Sequence, residues 1–326
     1  MRARSSIVAV LLVGLAGLTA CQREEATPEG GEQADLTFYS VTHGPPGDPF
    51  WAVYRQGLED ASEDFGVQIE DLAPERFSVE EVANQLESAI AAEPDGLIVT
   101  ITDAQALEDP LNNAIEQGIP VIAINVPDFR PPQERIPYLF YVGGDEELGG
   151  RAAAERVLEE KTPQRAVCAI HAVGHVGLEA RCKGFSDVMK SRGVAVDKLP
   201  IGEDPTQAAE QLRSYFQSHG DTDALFTLGP VGMTPAVQVL QEEGLEEQVT
   251  HATFDLTTET IDAIKDGTIV STIDQQQYLQ GYLPPMYLKE FVEHSFVVAN
   301  DVLTGPYVVD SSNVAEVEQT VEDGYR

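Results

Sequence analysis

The residues best suited to hydrogen-bonding chemistry fall in a few short stretches. These are His43 to Trp51, Thr102-Asp103, Asn125, His171 to Arg181, Leu228 to Val231, Asp255 and Asp274-Gln275. Together they offer carboxylates, amides, one arginine and two adjacent aromatics, Phe50 and Trp51. Carboxylates and amides pair with neighbouring hydroxyls, and an aromatic face covers the C–H face of a sugar ring. The set suits noncovalent capture of a small polyhydroxylated molecule, a sugar or a sugar-like polyol. Catalytic signatures are missing: there is no Gly-x-Ser-x-Gly elbow, no Walker loop and no His-Glu-x-x-His. Gly143-Gly144 and Gly149-Gly150 flank a helix start without the dinucleotide-binding spacing. His43, His171 and His175 raise the question of a metal. However, His171 and His175 bracket Gly174 in a loop instead of sharing a helical face, and a closed site needs more ligands. Neither a metal nor a cofactor is expected.

Each stretch follows a segment that reads as a strand. Leu36 to Val41, Val67 to Leu72, Gly96 to Thr100 and Pro120 to Ile124 are short and mostly apolar. Between them, Phe50 to Phe65, Val79 to Ile90 and Leu107 to Glu116 carry apolar residues at helical spacing, as at Val79, Val82, Ala83, Leu86 and Ile90. The alternation restarts at Leu139 to Val142 and Glu146 to Glu159 and runs on to Ile269 to Ile273. Apolar strands separated by amphipathic helices imply parallel sheets covered on both faces, with ligands bound beyond the carboxyl ends of the strands. Two such blocks predict an α/β protein of two lobes. The first is expected over 36–137 plus 276–304, the second over 138–275 plus 305–326. Crossovers near Tyr138–Val142, Ile273–Gln275 and Leu303–Pro306 would form the hinge. Tyr278 to His294 reads as a helix despite Pro284 and Pro285, which should kink it or mark its first turns.

The start of the chain concerns export. Arg2 and Arg4 precede an apolar run from Ile7 to Leu18, too short for a permanent span of about 20 residues. The phrase Leu18-Thr19-Ala20-Cys21 resembles a bacterial lipobox, which implies a signal peptide over 1–20 and lipidation of Cys21. Residues 21–35 are rich in Glu, Gly, Pro and Gln and read as a tether. With 20 Lys+Arg against 55 Asp+Glu, the net charge of −35 disfavours nucleic acid and acidic ligands. It is a surface suited to a saline habitat, over a chain hydrophobic enough (42%) to pack a core. Cys168 and Cys182 remain as an even pair in an oxidising compartment. A disulfide fits them, two buried free thiols being the alternative.

An ordered set of segments resembles the periplasmic sugar-binding proteins of the ribose and galactose type. It comprises His43-Gly44-Pro45-Pro46-Gly47-Asp48-Pro49-Phe50-Trp51, Gly118 to Asn125, Leu178 to Phe185, Thr253-Phe254-Asp255 and Thr272 to Gln275. The resemblance spans Leu36 to Val309. It implies the type I periplasmic binding protein fold, two Rossmann-like lobes with parallel sheets joined by a three-segment hinge. By that resemblance, Asp48 bonds sugar hydroxyls and Phe50 and Trp51 stack on the ring. Asn125, Arg181 and Asp255 supply polar contacts, Gln275 or Asp274 the last one, and His43 and His175 lie nearby. Structural alternatives exist: Asp48 and Asp255 as helix caps, Phe50 and Trp51 as core, Arg181 in a helix salt bridge. The chain departs from the pattern at Gly229, Val126 and Gly177, where the family has Asn, a ribose-type Arg and a galactose-type Asp, so plain ribose and plain galactose are not expected. The implied partner is an ATP-driven (ABC) permease, with the chain a monomer that closes on its ligand. A receptor role towards a chemoreceptor or sensor kinase, or a sugar-processing enzyme, are the other readings.

Overall fold

The computed structural model describes residues 36–326, so Cys21, the signal peptide and the tether lie outside the described residues. The chain begins with β1 (Thr37–Val41), α1 (Pro49–Phe65), β2 (Gln68–Leu72), α2 (Val79–Ala91), β3 (Gly96–Val99), α3 (Ala104–Glu116), β4 (Val121–Ile124) and β5 (Tyr141–Gly144). It continues through α4 (Glu146–Glu160), β6 (Arg165–Ile170), α5 (Val176–Ser191), β7 (Ala195–Pro200), α6 (Pro205–Ser218), β8 (Thr222–Thr227), α7 (Pro230–Glu243), β9 (Thr250–Phe254), α8 (Thr258–Lys265) and β10 (Ser271–Asp274). The last elements are α9 (Gln277–His294), β11 (Val302–Gly305), β12 (Tyr307–Asp310) and α10 (Val314–Glu322).

Two six-stranded sheets result, with orders β11-β5-β4-β3-β1-β2 and β12-β10-β9-β8-β6-β7. The orders match strand for strand, so β4 of one lobe corresponds to β9 of the other. All pairings are parallel except β10 with β12. Every residue of β3 and β4 is buried, as continuous apolar runs covered on both faces require.

Three features differ from the sequence expectation. The strand expected over Leu139 to Val142 as the start of the second lobe is β5, which pairs with β4 of the first sheet, so the first crossover follows Gly144. Val302–Gly305, read as loop, is a strand parallel to β5. The tail after β12 forms α10, whose Val314 and Val317 pack against α8. The first two share a cause. Both strands are four residues long, and which sheet such a strand joins is set by pairing across the sheet, β11 with β5 lying some 160 residues apart, which local periodicity does not carry. Helix α9 runs through Pro284 and Pro285, which leave the carbonyls of Gln280 and Gly281 without helical donors.

Two helix pairs pack at van der Waals limits through glycine. A Cβ on Gly57 of α1 would stand 2.2 Å from Tyr278 O, and one on Gly281 of α9 would stand 2.1 Å from Tyr54 O. In the second lobe, a Cβ on Gly150 of α4 would meet Arg181 O at 2.0 Å, and one on Gly184 of α5 would meet Glu147 O at 2.1 Å. The first contact brings late helix α9 onto the first lobe. The second sets Glu146 and Arg181 side by side. The Cys168–Cys182 disulfide, Cα–Cα 5.8 Å, ties β6 to α5 in the same region.

Candidate functional site

The carboxyl ends of both sheets face one cleft, which holds about 520 Å³ unfilled by protein, including solvent at its mouth. The first lobe contributes His43 and Asp48 from the loop after β1, Phe50 and Trp51 from the start of α1, Phe77, and Asn125 after β4. The second contributes His171 and His175 after β6, Arg181 from α5, Glu203, Gly229 before α7 and Asp255 after β9. Gln275 comes from the crossover.

Asn125 and Asp255 occupy equivalent strand ends in the two lobes, and both adopt the left-handed region, at φ 55° and 67°. Asn and Asp tolerate that region best among residues with a side chain. The turn there ends the strand abruptly and places each polar group over the cleft. Asp48 caps α1, its Oδ1 accepting from Phe50 N at 3.0 Å with Pro49 in the first turn. Burial pushes its carboxyl up to about 6 against the pull of that N–H, with Glu203 adding to the rise. Burial likewise pushes Asp255 up to about 7, partly offset by Arg181 and by Gln275. Phe50 and Trp51 belong to the first lobe's core and also line the cleft, their ring centroids 4.9 Å apart.

Arg181 is buried at 5% exposure, its guanidinium 4.0 Å from the centroid of Phe254. Nε and Nη2 donate to the two carboxylate oxygens of Glu146, and Nη1 donates to Leu228 O at 2.7 Å. Burial works against the Arg181 charge and Glu146 more than offsets it, so the guanidinium stays protonated. Three of its five N–H groups are engaged and two remain for a ligand. Arg181 is therefore both an ion-pair partner and a cleft residue.

The structure separates the adjacent pair at the second crossover. Gln275 lines the cleft, with Nε2 donating to Asp255 Oδ1 at 2.6 Å. Asp274, an expected site residue, is outside it: its carboxylate pairs with Arg326 at 3.0 Å and caps Gln276 N at 2.8 Å. Successive residues leaving a strand point to opposite sides, so one of the two had to turn away. Asp103 caps α3. Val126 is fully buried, and a Cβ at Gly177 would lie 3.4 Å from its Cγ2, so the departures at these two positions bring α5 close to the first lobe. A Cβ at Gly229 would stand 3.4 Å from Asp255 Oδ2, so glycine there leaves that carboxylate open to the cleft.

Sequence reasoning missed Phe77, Glu203, Glu146 and Gln280. Glu146 read as an ordinary first-turn acid, and its partner comes from a different helix. Gln280 of α9 joins Asn125, Gln275 and Thr304 and so links the crossovers. Among the described residues, no group of three or more His, Cys, Asp and Glu is arranged to hold a metal ion. No helix among them is long and apolar enough to cross a membrane.

Comparison with known proteins agrees with this geometry. The family model described as periplasmic binding protein domain matches residues 40–294. The xylose/arabinose-binding protein XylF of Sulfolobus acidocaldarius is 28% identical over 279 residues, covering 82% of this chain and 69% of that protein. The ribose import binding protein RbsB of Bacillus subtilis is 24% identical, covering 86% of this chain and 90% of that one. Among solved structures, a carbohydrate transporter from Acidothermus cellulolyticus in complex with myo-inositol is 32% identical. It superposes with a TM-score of 0.82 over 89% of this chain and 99% of its own.

Proposed function

The chain belongs to the periplasmic binding protein domain family, and from that premise we propose that it captures a sugar or sugar-like polyol outside the cytoplasm and delivers it to an ABC permease. The observation that carries this reading is the convergence of Asp48, Asn125, Arg181, Asp255 and Gln275 from both lobes and a crossover on one cleft walled by Phe50 and Trp51. The three relatives described above are named for xylose, arabinose and ribose or hold myo-inositol, all neutral polyols. They are binding proteins or transporter components, which supports binding without turnover. The ligand touches both lobes only when they close, so its differential affinity drives closure, and the closed pair of lobes is what a permease recognises. Lipidation at Cys21 would hold the protein, as a monomer, at the membrane that carries its permease.

The test is a thermal-shift and calorimetric screen of the chain beginning after Cys21 against pentoses, hexoses, cyclitols, nucleosides and amino acids. A true ligand at 100-fold above its dissociation constant adds about 2.7 kcal/mol of apparent stability. A shift with one sugar or cyclitol, recovered chemically unchanged, is the expected result. Shifts confined to amino acids or nucleosides would overturn the reading.

A further inference from the structure

A backbone anchor orients the amides in the wall of the cleft nearest the crossovers. Gln280 Nε2 donates to the carbonyl of Gln275 at 3.2 Å and to Thr304 Oγ1 at 3.3 Å. A carbonyl only accepts, so the nitrogen end of the Gln280 amide must point there. Its Oε1 is then the atom that meets Asn125, accepting from Asn125 Nδ2 at 3.3 Å. Asn125 keeps its oxygen and its second N–H free of protein partners. Gln275 Nε2 is engaged by Asp255 Oδ1, and Gln275 Oε1, on a side chain only 1% exposed, has no protein partner. Asp48 has one oxygen on Phe50 N–H and one to offer. Asp48 and Asp255 thus present acceptors to the ligand, while Asn125 and Gln275 each keep an acceptor and one N–H.

The charges point the same way. Asp48, Glu203 and Asp255 line the cleft, and the guanidinium of Arg181 is already matched by Glu146 behind it. A hydroxyl facing such a wall uses its one donor and leaves its lone pairs opposed to other oxygens. An ammonium has three donors and no lone pair. It would also supply the cation that lets Asp48 and Asp255 ionise although buried.

We propose that the preferred ligand of this cleft is an amino-bearing polyol, an aminocyclitol or amino sugar whose ammonium group replaces a hydroxyl facing Asp48 and Asp255, and that carboxylated counterparts are refused. The inference rests on the polyol reading above and narrows it. A carboxylate would add negative charge to a cleft already lined by Asp48, Glu203 and Asp255, where the one guanidinium, Arg181, is paired with Glu146.

The test is calorimetry on the chain beginning after Cys21 with two probe series. One is myo-inositol with its amino-deoxy isomers, and the other is glucose with its amino-deoxy isomers, N-acetylglucosamine and glucuronate. In the series whose neutral parent binds, at least one amino isomer is expected to bind about tenfold tighter or better, roughly one added charge-assisted hydrogen bond. The carboxylated form should be about 100-fold weaker or undetectable, and the acetylated form, which has no ammonium, should lose the gain of its amine. Glu203→Gln should reduce the amine-to-neutral ratio, and so should lowering the pH from about 7 to 5, which protonates Asp48 and Asp255. A neutral parent that binds while every amino isomer binds equally or more weakly overturns this inference and leaves the polyol reading standing. Absence of binding by every member, with the wider screen equally silent on polyols, overturns both.

Discussion

His43 and His175 meet across the cleft, Nε2 to Nε2 at 2.8 Å, one from the loop after β1 and the other from the corresponding loop after β6. His175 Nδ1 accepts from Leu178 N at 3.3 Å, so its proton sits on Nε2 and is donated to His43. The proton of His43 is then on Nδ1, which is buried without a partner. The contact is edge-on to Trp51 and Phe77 and requires both rings neutral. Burial, with Arg181 and His171 nearby, holds His43 down at about 3; burial and His43 hold His175 well below its ordinary value.

A pH dependence of closure follows. In an open cleft, exposed imidazoles titrate near 6.5, roughly their ordinary value. A base depressed in the closed form contributes its full share above that pH, and the share is lost as pH falls below it. Asp48 and Asp255, raised by burial, act in the opposite sense and favour closure at low pH. The informative quantity is therefore the difference between the wild type and His43→Gln/His175→Gln. Wild-type affinity should fall relative to the double variant between about pH 7 and 5, by up to roughly tenfold per pH unit for each histidine. Parallel pH profiles measured by calorimetry would sink the idea.

Glu146 should matter to binding without touching the ligand. Glu146→Ala leaves the buried Arg181 guanidinium without its counter-ion, a loss of about 3–5 kcal/mol. Arg181 would then swing from its place over Phe254. Denaturation midpoints and ligand affinity should both drop in this variant. An unchanged affinity would mean that Leu228 O and Phe254 hold the guanidinium unaided.

Neighbouring residues at the second crossover should behave oppositely. Gln275→Ala removes a cleft acceptor and the donor to Asp255, and should weaken binding at least about tenfold. Asp274→Asn breaks the ion pair with Arg326 and should lower thermal stability, with affinity within about twofold of wild type. Equal losses of affinity in the two variants would count against the separation seen here.

Gly184→Val tests how the ion pair is positioned. The added side chain would collide with Glu147 O and force α4 from α5. Overpacking of this kind costs about 1–3 kcal/mol or more. The melting temperature should fall and ligand affinity with it, because Glu146 and Arg181 sit on the two helices that part. A melting temperature that holds would show the helices able to shift freely.

The Cys168–Cys182 bridge closes a loop of 14 residues between β6 and α5. Replacing both cysteines by alanine should cost about 3 kcal/mol, read from denaturant unfolding. A loss of under about 1 kcal/mol would indicate that the buried packing of α5 on β6 already restrains the unbridged chain.

Much of the site was legible in the sequence because its residues follow apolar strands, and a strand end is a local feature. Asp48 before Pro49, Asn125 after Val121–Ile124 and Asp255 after Thr250–Phe254 could be placed without knowing what lay opposite. Glu203 and Phe77 could not, since they sit in loops with no periodicity to mark them. Asp274 was misplaced for another reason. At the end of a strand, a one-residue difference decides which side a group faces, and composition does not carry that phase.

The sequence by itself determined the alternation of apolar strands with amphipathic helices, the doubling of that pattern and the chemical character of the strand ends. Those signals lie within a turn or two of chain, where residue spacing dictates structure directly. Tertiary structure alone decided that β5 belongs to the first sheet, that Glu146 meets Arg181, that Gln280 accepts from the amide of Asn125, and that His43 touches His175. Each of these joins residues far apart in sequence through sheet order, helix packing and the hinge, and none of those relations leaves a periodic trace in the chain.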